Sequence, residues 1–355
     1  MTQVQSQWLG KTFINPVADY LLIGSVWSIA VTVLLLANPG LYAQVDTLTL
    51  LTLVLLVNSA HFAASTVRLY SQPSNFTNHP FLTLGLPLVA LAVLAICVAL
   101  PELFGKHLQA LYLTWSPYHY AAQTFGLTLM YCHRSGVRID PLDRRMLYWI
   151  CLLPFLRAFL GAPNSGLGWF VTREQLAQIP LAFEVLGWTT GIITWLTFLL
   201  PVALVARFVF IKRSGFPLIG MCMIAANGAW WIFLDFVNAF IIATIAHGLQ
   251  YMAIVLIYHV REKSKQPGNE RSVAFLAGTF YLKCLALGYA LFYCWPYVFV
   301  LAGAGLAESM LMVIATVNLH HFIVDRYIWR LRKPETQKVI GTSATLPSAA
   351  PLSSG

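Results

Sequence analysis

The chain has 355 residues, of which 58% are hydrophobic and only 10% charged, and its mean hydropathy is +0.70. That balance excludes an ordinary water-soluble globular domain, in which about a quarter of the residues carry charge. The net charge of +9 invites a nucleic-acid reading, but the basic residues sit in short clusters at the ends of apolar runs rather than along one face, which reports membrane topology and excludes nucleic acid as a partner.

Apolar runs of about twenty residues recur along the chain, each long enough to cross a hydrocarbon core of roughly 30 Å as a helix. Backbone groups in lipid must be hydrogen-bonded within the segment, so these runs are expected to be helical. In chain order the candidate spans lie near 17–37, 47–67, 80–100, 108–132, 145–163, 183–211, 216–235, 239–260, 273–296 and 299–327. The expected fold is therefore all-α, a polytopic integral membrane helical bundle of about ten transmembrane helices, forming a single domain over residues 1–333. No small-residue cleavage site follows the first run, so no cleaved signal peptide is expected.

Basic residues follow the even-numbered spans: Arg68; Arg134, Arg138, Arg144 and Arg145; Arg207, Lys212 and Arg213; Arg261, Lys263, Lys265 and Arg271; Arg326, Arg330, Arg332 and Lys333. The positive-inside rule places those ends, and both termini, in the cytoplasm, with the inner membrane as the expected location. The segment 334–355 is rich in Ser, Thr, Ala and Pro and is expected to be a disordered cytoplasmic tail. Cys97, Cys132, Cys151, Cys222, Cys284 and Cys294 have no CxxC spacing and read as small buried hydrophobes. Among the other polar residues of the spans, Lys283 is expected to pair with Glu308 or Asp235, with a proton route through these groups as the alternative.

Ionisable side chains at membrane depth are expensive and usually functional, which directs attention to the nine histidines. Five fall inside spans: His61, His119, His247, His320 and His321. Their four host spans are all even-numbered and run in one direction, so the rings can converge from the bilayer middle toward the cytoplasmic side. Counted from the basic ends, His61 and His320 lie about six residues deep and His119 and His247 about thirteen, roughly 10 Å apart at 1.5 Å per residue. Tilt or a kink at Pro117 closes that gap, or the gap marks two sites. Each histidine has a polar neighbour three to five positions away: Asn58, Gln123, Gln250 and Asp325, the last serving both His320 and His321. Such neighbours are candidate acceptors for the second ring N–H of a metal-ligating imidazole. The plain alternative is interhelical hydrogen bonding. His79, His107, His133 and His259 fall at the predicted interfaces, where histidine is cheap; His133 and His259 are possible auxiliary ligands.

Imidazole-rich sites suit iron, copper or zinc and argue against magnesium or calcium. A carboxylate-bridged di-iron cluster needs Glu and Glu-x-x-His repeats that are missing here, as are the HxxxH and HxxHH boxes of membrane desaturases. The expectation is a non-haem iron site, ligated by His61, His119, His247, His320 and His321, in an oxygenase acting on a lipophilic small molecule that enters from the surrounding membrane lipids, with a redox partner as a further expectation. The segment His320-His321-Phe322-Ile323-Val324-Asp325, followed by Ile328-Trp329-Arg330, resembles the final-helix His-x4-Asp signature of the Brp/Blh family, and Ala60-His61-Phe62-Ala63 resembles that family's His-Phe-Gly segment. The resemblance implies a multi-helix membrane dioxygenase that cleaves a carotenoid with iron held by histidines. Two features depart from the family: span one has no Pro-His-Gly motif, and its histidine pair spaced by four appears as His247 and Tyr251. Two other classes stay open: a b-type cytochrome with haem between histidine pairs, and a proton-coupled transporter.

Overall fold

A computed structural model describes residues 8–44, 49, 52–162 and 165–328. Among these residues the regular structure is helical throughout, with no strand. The principal helices are α1 (Val26–Ala37), α2 (Ala60–Tyr70), α3 (Leu86–Ala99), α4 (Lys106–Arg134), α5 (Pro141–Gly161), α6 (Pro180–Ala206), α7 (Leu218–Phe233), α8 (Phe236–Lys263), α9 (Val273–Tyr289) and α10 (Leu306–Ile328). Each predicted span overlaps one of them, though the helix bounds differ by several residues and α2 covers only the second half of its span. Among the described residues, five helical stretches are by themselves long and apolar enough to cross a membrane: Phe81–Ala99, Pro180–Lys212, Phe236–Lys263, Val273–Leu301 and Leu306–Tyr327. A sixth qualifies when Pro16–Ile23 and α1, which meet at 51°, are taken as one broken span. The tail from 334 lies outside the described residues.

Burial sorts centre from periphery. In α8, 72% of the most apolar window is buried, against 17% in the stretch containing α6. On α6, Leu181, Trp188, Trp195 and Val202 recur every seven residues and are each 68–72% exposed, a continuous outer stripe that water would penalise and hydrocarbon would not. Helices α2 and α4 pack against α8, and α10 packs against both α2 and α4. These four carry the candidate histidines.

Small residues set the close approaches. A Cβ on Gly288 of α9 would lie 2.6 Å from the Ser59 carbonyl oxygen, and one on Gly248 of α8 would lie 2.9 Å from Val57 Cγ1 and 3.6 Å from His61 Nδ1. Glycine at these positions lets the backbones of α8 and α9 come against the chain entering α2, as small residues do between helices in lipid.

The first predicted span, expected to be continuous, is broken at Gly24–Ser25. Ser25 adopts the left-handed region at φ 54°, and the groups freed by the break are met by side chains from distant helices. Gln250 Nε2 donates to the Ile23 carbonyl (2.9 Å) and to Ser25 Oγ (3.0 Å). Ser28 Oγ donates to the Ser25 carbonyl, and Trp230 Nε1 donates to Ser28 Oγ. Broken backbone at membrane depth is tolerated only when its polar groups are recovered in this way.

The boundary between the last two spans also moves: the helical stretch from Val273 continues to Leu301, and α10 begins at Leu306 after a turn through Gly303 at φ +98°. Pro296, expected at a helix end, instead sits in the first turn of the short helix Trp295–Leu301, where its missing N–H costs nothing. Nor do the described residues pair Lys283 with Glu308 or Asp235. Both Lys283 and Glu308 are exposed, and Asp235 caps α8 by accepting from the Val237 and Asn238 amides.

Candidate metal centre

Four of the five predicted histidines meet in one buried cluster. His61 comes from α2, His119 from α4, His247 from α8 and His321 from α10; His61 and His321 are fully buried, His247 nearly so, and His119 is partly open. His61 and His247 face each other with their Nε2 atoms 3.0 Å apart. The ring of His321 stands 4.7 Å from that of His61, and the ring of His119 stands 4.9 Å from His247 and 5.4 Å from His321, centroid to centroid. The depth gap counted from the helix ends does not separate two sites.

His320 is the exception and lies outside both donor groups of the cluster. Consecutive helical residues point about 100° apart, so α10 can aim only one of its two histidines at the cluster, and it aims His321. The four interfacial histidines also lie outside these groups. His107 is exposed, and His259 lies against the Phe280 ring at 4.4 Å.

Hydrogen bonding orients the rings. His61 Nδ1 lies 3.2 Å from the Asn58 carbonyl oxygen; a carbonyl only accepts, so Nδ1 carries the proton and Nε2 presents its lone pair. Ser65 Oγ donates to the Phe62 carbonyl at 3.2 Å and lies 2.9 Å from His321 Nδ1. With its single hydrogen engaged, Ser65 accepts from His321 Nδ1, and His321 Nε2 also presents a lone pair. That atom is buried without a hydrogen-bond partner, as is His119 Nε2. Tyr251 Oη donates to Asp325 Oδ1 at 2.7 Å. This leaves Asp325 Oδ2 turned toward His321 Nε2 at 3.5 Å and His119 Nε2 at 3.9 Å, too far for hydrogen bonds.

The donors form two overlapping triads: His61, His247 and His321, and His119, His321 and Asp325, with the ligand atoms of each within 4.8 Å of one another. Imidazole nitrogens bind first-row ions such as zinc at about 2.0–2.1 Å, so two on one ion stand about 3.0 Å apart at a right angle and about 3.4 Å apart at the tetrahedral angle. The 3.0 Å between His61 and His247 matches the first value. The contacts of 3.5 and 3.9 Å around Asp325 fall in the range of donors that share an ion. Without a metal, His247 Nε2 can donate to the lone pair of His61 Nε2, but His119 Nε2 and His321 Nε2 are buried without a partner, a cost that a cation between them and Asp325 would offset. The residues present therefore fit a metal ion.

The polar neighbours singled out in the sequence act differently from the expected pattern: Asp325 faces His321 and His119 at 3.5 and 3.9 Å, as a donor beside them rather than as an acceptor of a ring N–H. Gln123 Nε2 donates to the His247 carbonyl and to Gln250 Oε1, Gln250 holds the break at Ser25, and Asn58 contributes its backbone carbonyl. None of their side chains bonds an imidazole among these contacts. Ser65, which bonds His321, and Tyr251, which bonds Asp325, orient the donors instead, and sequence reasoning passed over both in that role. A signal was available: His61, His119, His247 and His321 are each followed four residues later by a polar side chain, namely Ser65, Gln123, Tyr251 and Asp325, on the same helical face.

One side of the cluster opens into a cavity of about 620 Å³ to which His119, Tyr251 and Asp325 contribute. The cavity runs along one face of α4 from Trp115 to Met130, about 22 Å at 1.5 Å per residue. Its other walls come from α5, α8 and α10. His61, His247 and His321 lie behind it.

The fold and site define an all-helical bundle with an interior histidine–carboxylate cluster beside a long, largely apolar cavity. Compared with protein-family models, curated proteins and solved structures, the chain matches none.

Proposed function

We propose that this protein is an integral membrane enzyme that oxidises a lipophilic substrate with a non-haem iron ion held by His61, His119, His247, His321 and Asp325. The observation that carries the reading is the convergence of a two-histidine, one-carboxylate set, His119 and Asp325 on the wall of a largely apolar cavity and His321 behind them. That donor set with open positions suits ferrous iron in oxygenases. Iron there would supply activation of dioxygen, the oxidant of the reaction.

The protein's own residues perform the rest. Tyr251 and Ser65 hold Asp325 and His321 in register, and the apolar cavity excludes water and aligns a chain-like substrate beside His119. The lipid-facing stripe on α6 supports membrane insertion, and the basic clusters support ten crossings with both termini cytoplasmic. Helices α4 and α5 are too polar to qualify alone as spans, a composition that suits helices shielded by neighbours. The two short resemblances to the Brp/Blh family point to the same class of chemistry.

A haem reading is less well supported. Two axial imidazoles bracket a porphyrin from opposite sides, whereas these rings touch edge to face at 4.7–5.4 Å, with no slot for a macrocycle. Metal analysis and an optical spectrum of the detergent-purified protein test the proposal. The expected result is iron without a Soret band; a Soret band, or a protein that takes up no iron, overturns it.

A further inference from the structure

The cavity carries a feature that the metal does not use. Arg144, in the first turns of α5, and Arg326, beside Asp325 on α10, both line it. Among the described residues neither forms an ion pair. The guanidinium of Arg144 lies 5.8 Å from the ring centroid of Phe125, which lines the same space. The one carboxylate in the wall, Asp325, is turned toward His119 and His321 and tied to Tyr251. The remaining lining is largely apolar and includes Trp115, Phe125, Leu127, Met130, Ile254 and Phe322.

We infer that the cavity binds a single-chain amphiphile with an anionic head, its carboxylate or phosphate between Arg144 and Arg326 and its apolar chain along α4 toward His119. Charge complementarity carries the assignment. Two guanidinium groups bordering a low-dielectric wall focus a positive field on the cavity, and their planar forks match a carboxylate or phosphate. Both arginines are exposed at the cavity's edge, where an anionic head gains an attraction that an uncharged hydrocarbon does not and an amine-headed chain is repelled. The length of about 22 Å along α4 suits an extended chain, and 620 Å³ is within the range of pockets that enclose one drug-sized ligand, so the site holds one chain rather than a two-chain phospholipid. The head would fix the register, so that a particular carbon of the chain stands beside His119 and Asp325. This inference rests on the cavity being the substrate's route to the proposed metal centre.

The test is equilibrium binding of radiolabelled palmitate to the full-length, iron-loaded protein in a neutral detergent, with methyl palmitate, hexadecyl phosphate and hexadecylamine as competitors and iron content measured in parallel. An anionic competitor is expected to displace palmitate at least tenfold better than the methyl ester, with hexadecylamine weakest. Whichever of unlabelled palmitate and hexadecyl phosphate competes better identifies the head group. In the doubly substituted Arg144→Gln, Arg326→Gln protein, the tenfold advantage should shrink to threefold or less. If that protein cannot be purified, the single variant Arg326→Glu should shift preference toward hexadecylamine. Equal competition by acid and ester, expected if the arginines serve only membrane-surface lipids, overturns the inference, as does a preference that survives substitution. Iron retained without head-group preference leaves the proposed function standing and removes this inference. Arginine-dependent palmitate binding in a protein that takes up no iron does the reverse.

Discussion

Replacing Tyr251 by Phe removes one oxygen from the cluster and little else. The ring that contacts His61 and His321 at centroid distances of 5.0 and 5.3 Å is retained, so the bundle should fold. What is lost is the 2.7 Å hydrogen bond from the phenol to Asp325 Oδ1, which holds Oδ2 toward His119 and His321. A hydrogen bond to a charged group contributes about 1.5–3 kcal/mol, equivalent to roughly 10- to 150-fold in an equilibrium constant. Loss of a partner that orients a metal ligand typically costs 10- to 100-fold in metal affinity, which overlaps that range. The assay is an iron titration of apo protein followed by activity or by optical change. Tyr251→Phe should require about 10- to 100-fold more free iron for half-saturation yet reach the wild-type stoichiometry. Unchanged affinity would refute the argument, because Asp325 would then be outside the metal site or held there by other contacts.

Three further outcomes follow from the same geometry. His321→Ala, which removes the donor shared by both triads, should abolish iron binding, whereas His320→Ala should retain wild-type stoichiometry; metal analysis of the two proteins separates adjacent residues with opposite orientations. Gly288→Leu forces a side chain into the Ser59 carbonyl, 2.6 Å from where its Cβ would stand, and should destabilise the bundle by about 1–3 kcal/mol, read as a lower midpoint in thermal unfolding in detergent. In the connection before α5, Asp140 accepts from the Asp143 amide and pairs with Arg207 and Lys212, which hold its carboxyl well below the usual carboxylate range. A depressed folded-state value stabilises the protein fully above the unfolded value of about 3.9 and progressively less as pH falls toward the folded one. The stability advantage of wild type over Asp140→Asn should therefore be constant above about pH 5 and shrink below about pH 4; an advantage that grows on acidification would contradict the ion-pair account.

The placement of helices was largely legible in the sequence, because apolar runs and the basic clusters that end them are local properties. The histidines were legible as a group for the same reason, since a titratable ring inside a twenty-residue apolar run stands out whatever its neighbours. What escaped was set by partners far away in the chain. The break at Gly24–Ser25 is stabilised by Gln250 and Trp230, more than two hundred residues distant, and a Gly-Ser pair within an apolar run carries no local sign of such help. Tyr251 and Ser65 were missed because each serves a residue on another helix: Ser65, four after His61, bonds His321, and Tyr251, four after His247, bonds Asp325. Same-face neighbours were identified by spacing, but spacing within one helix does not reveal which ring on the next helix they address. The choice between His320 and His321 depended on the rotation of α10, which packing determines.

X-ray absorption at the iron edge of the iron-loaded protein tests the central claim most directly. The account predicts a first shell of nitrogen and oxygen donors with the outer-shell scattering characteristic of several imidazoles, and loss of that imidazole signature in His321→Ala. A shell containing sulfur, a porphyrin pattern, or the same imidazole signature in His321→Ala would contradict it.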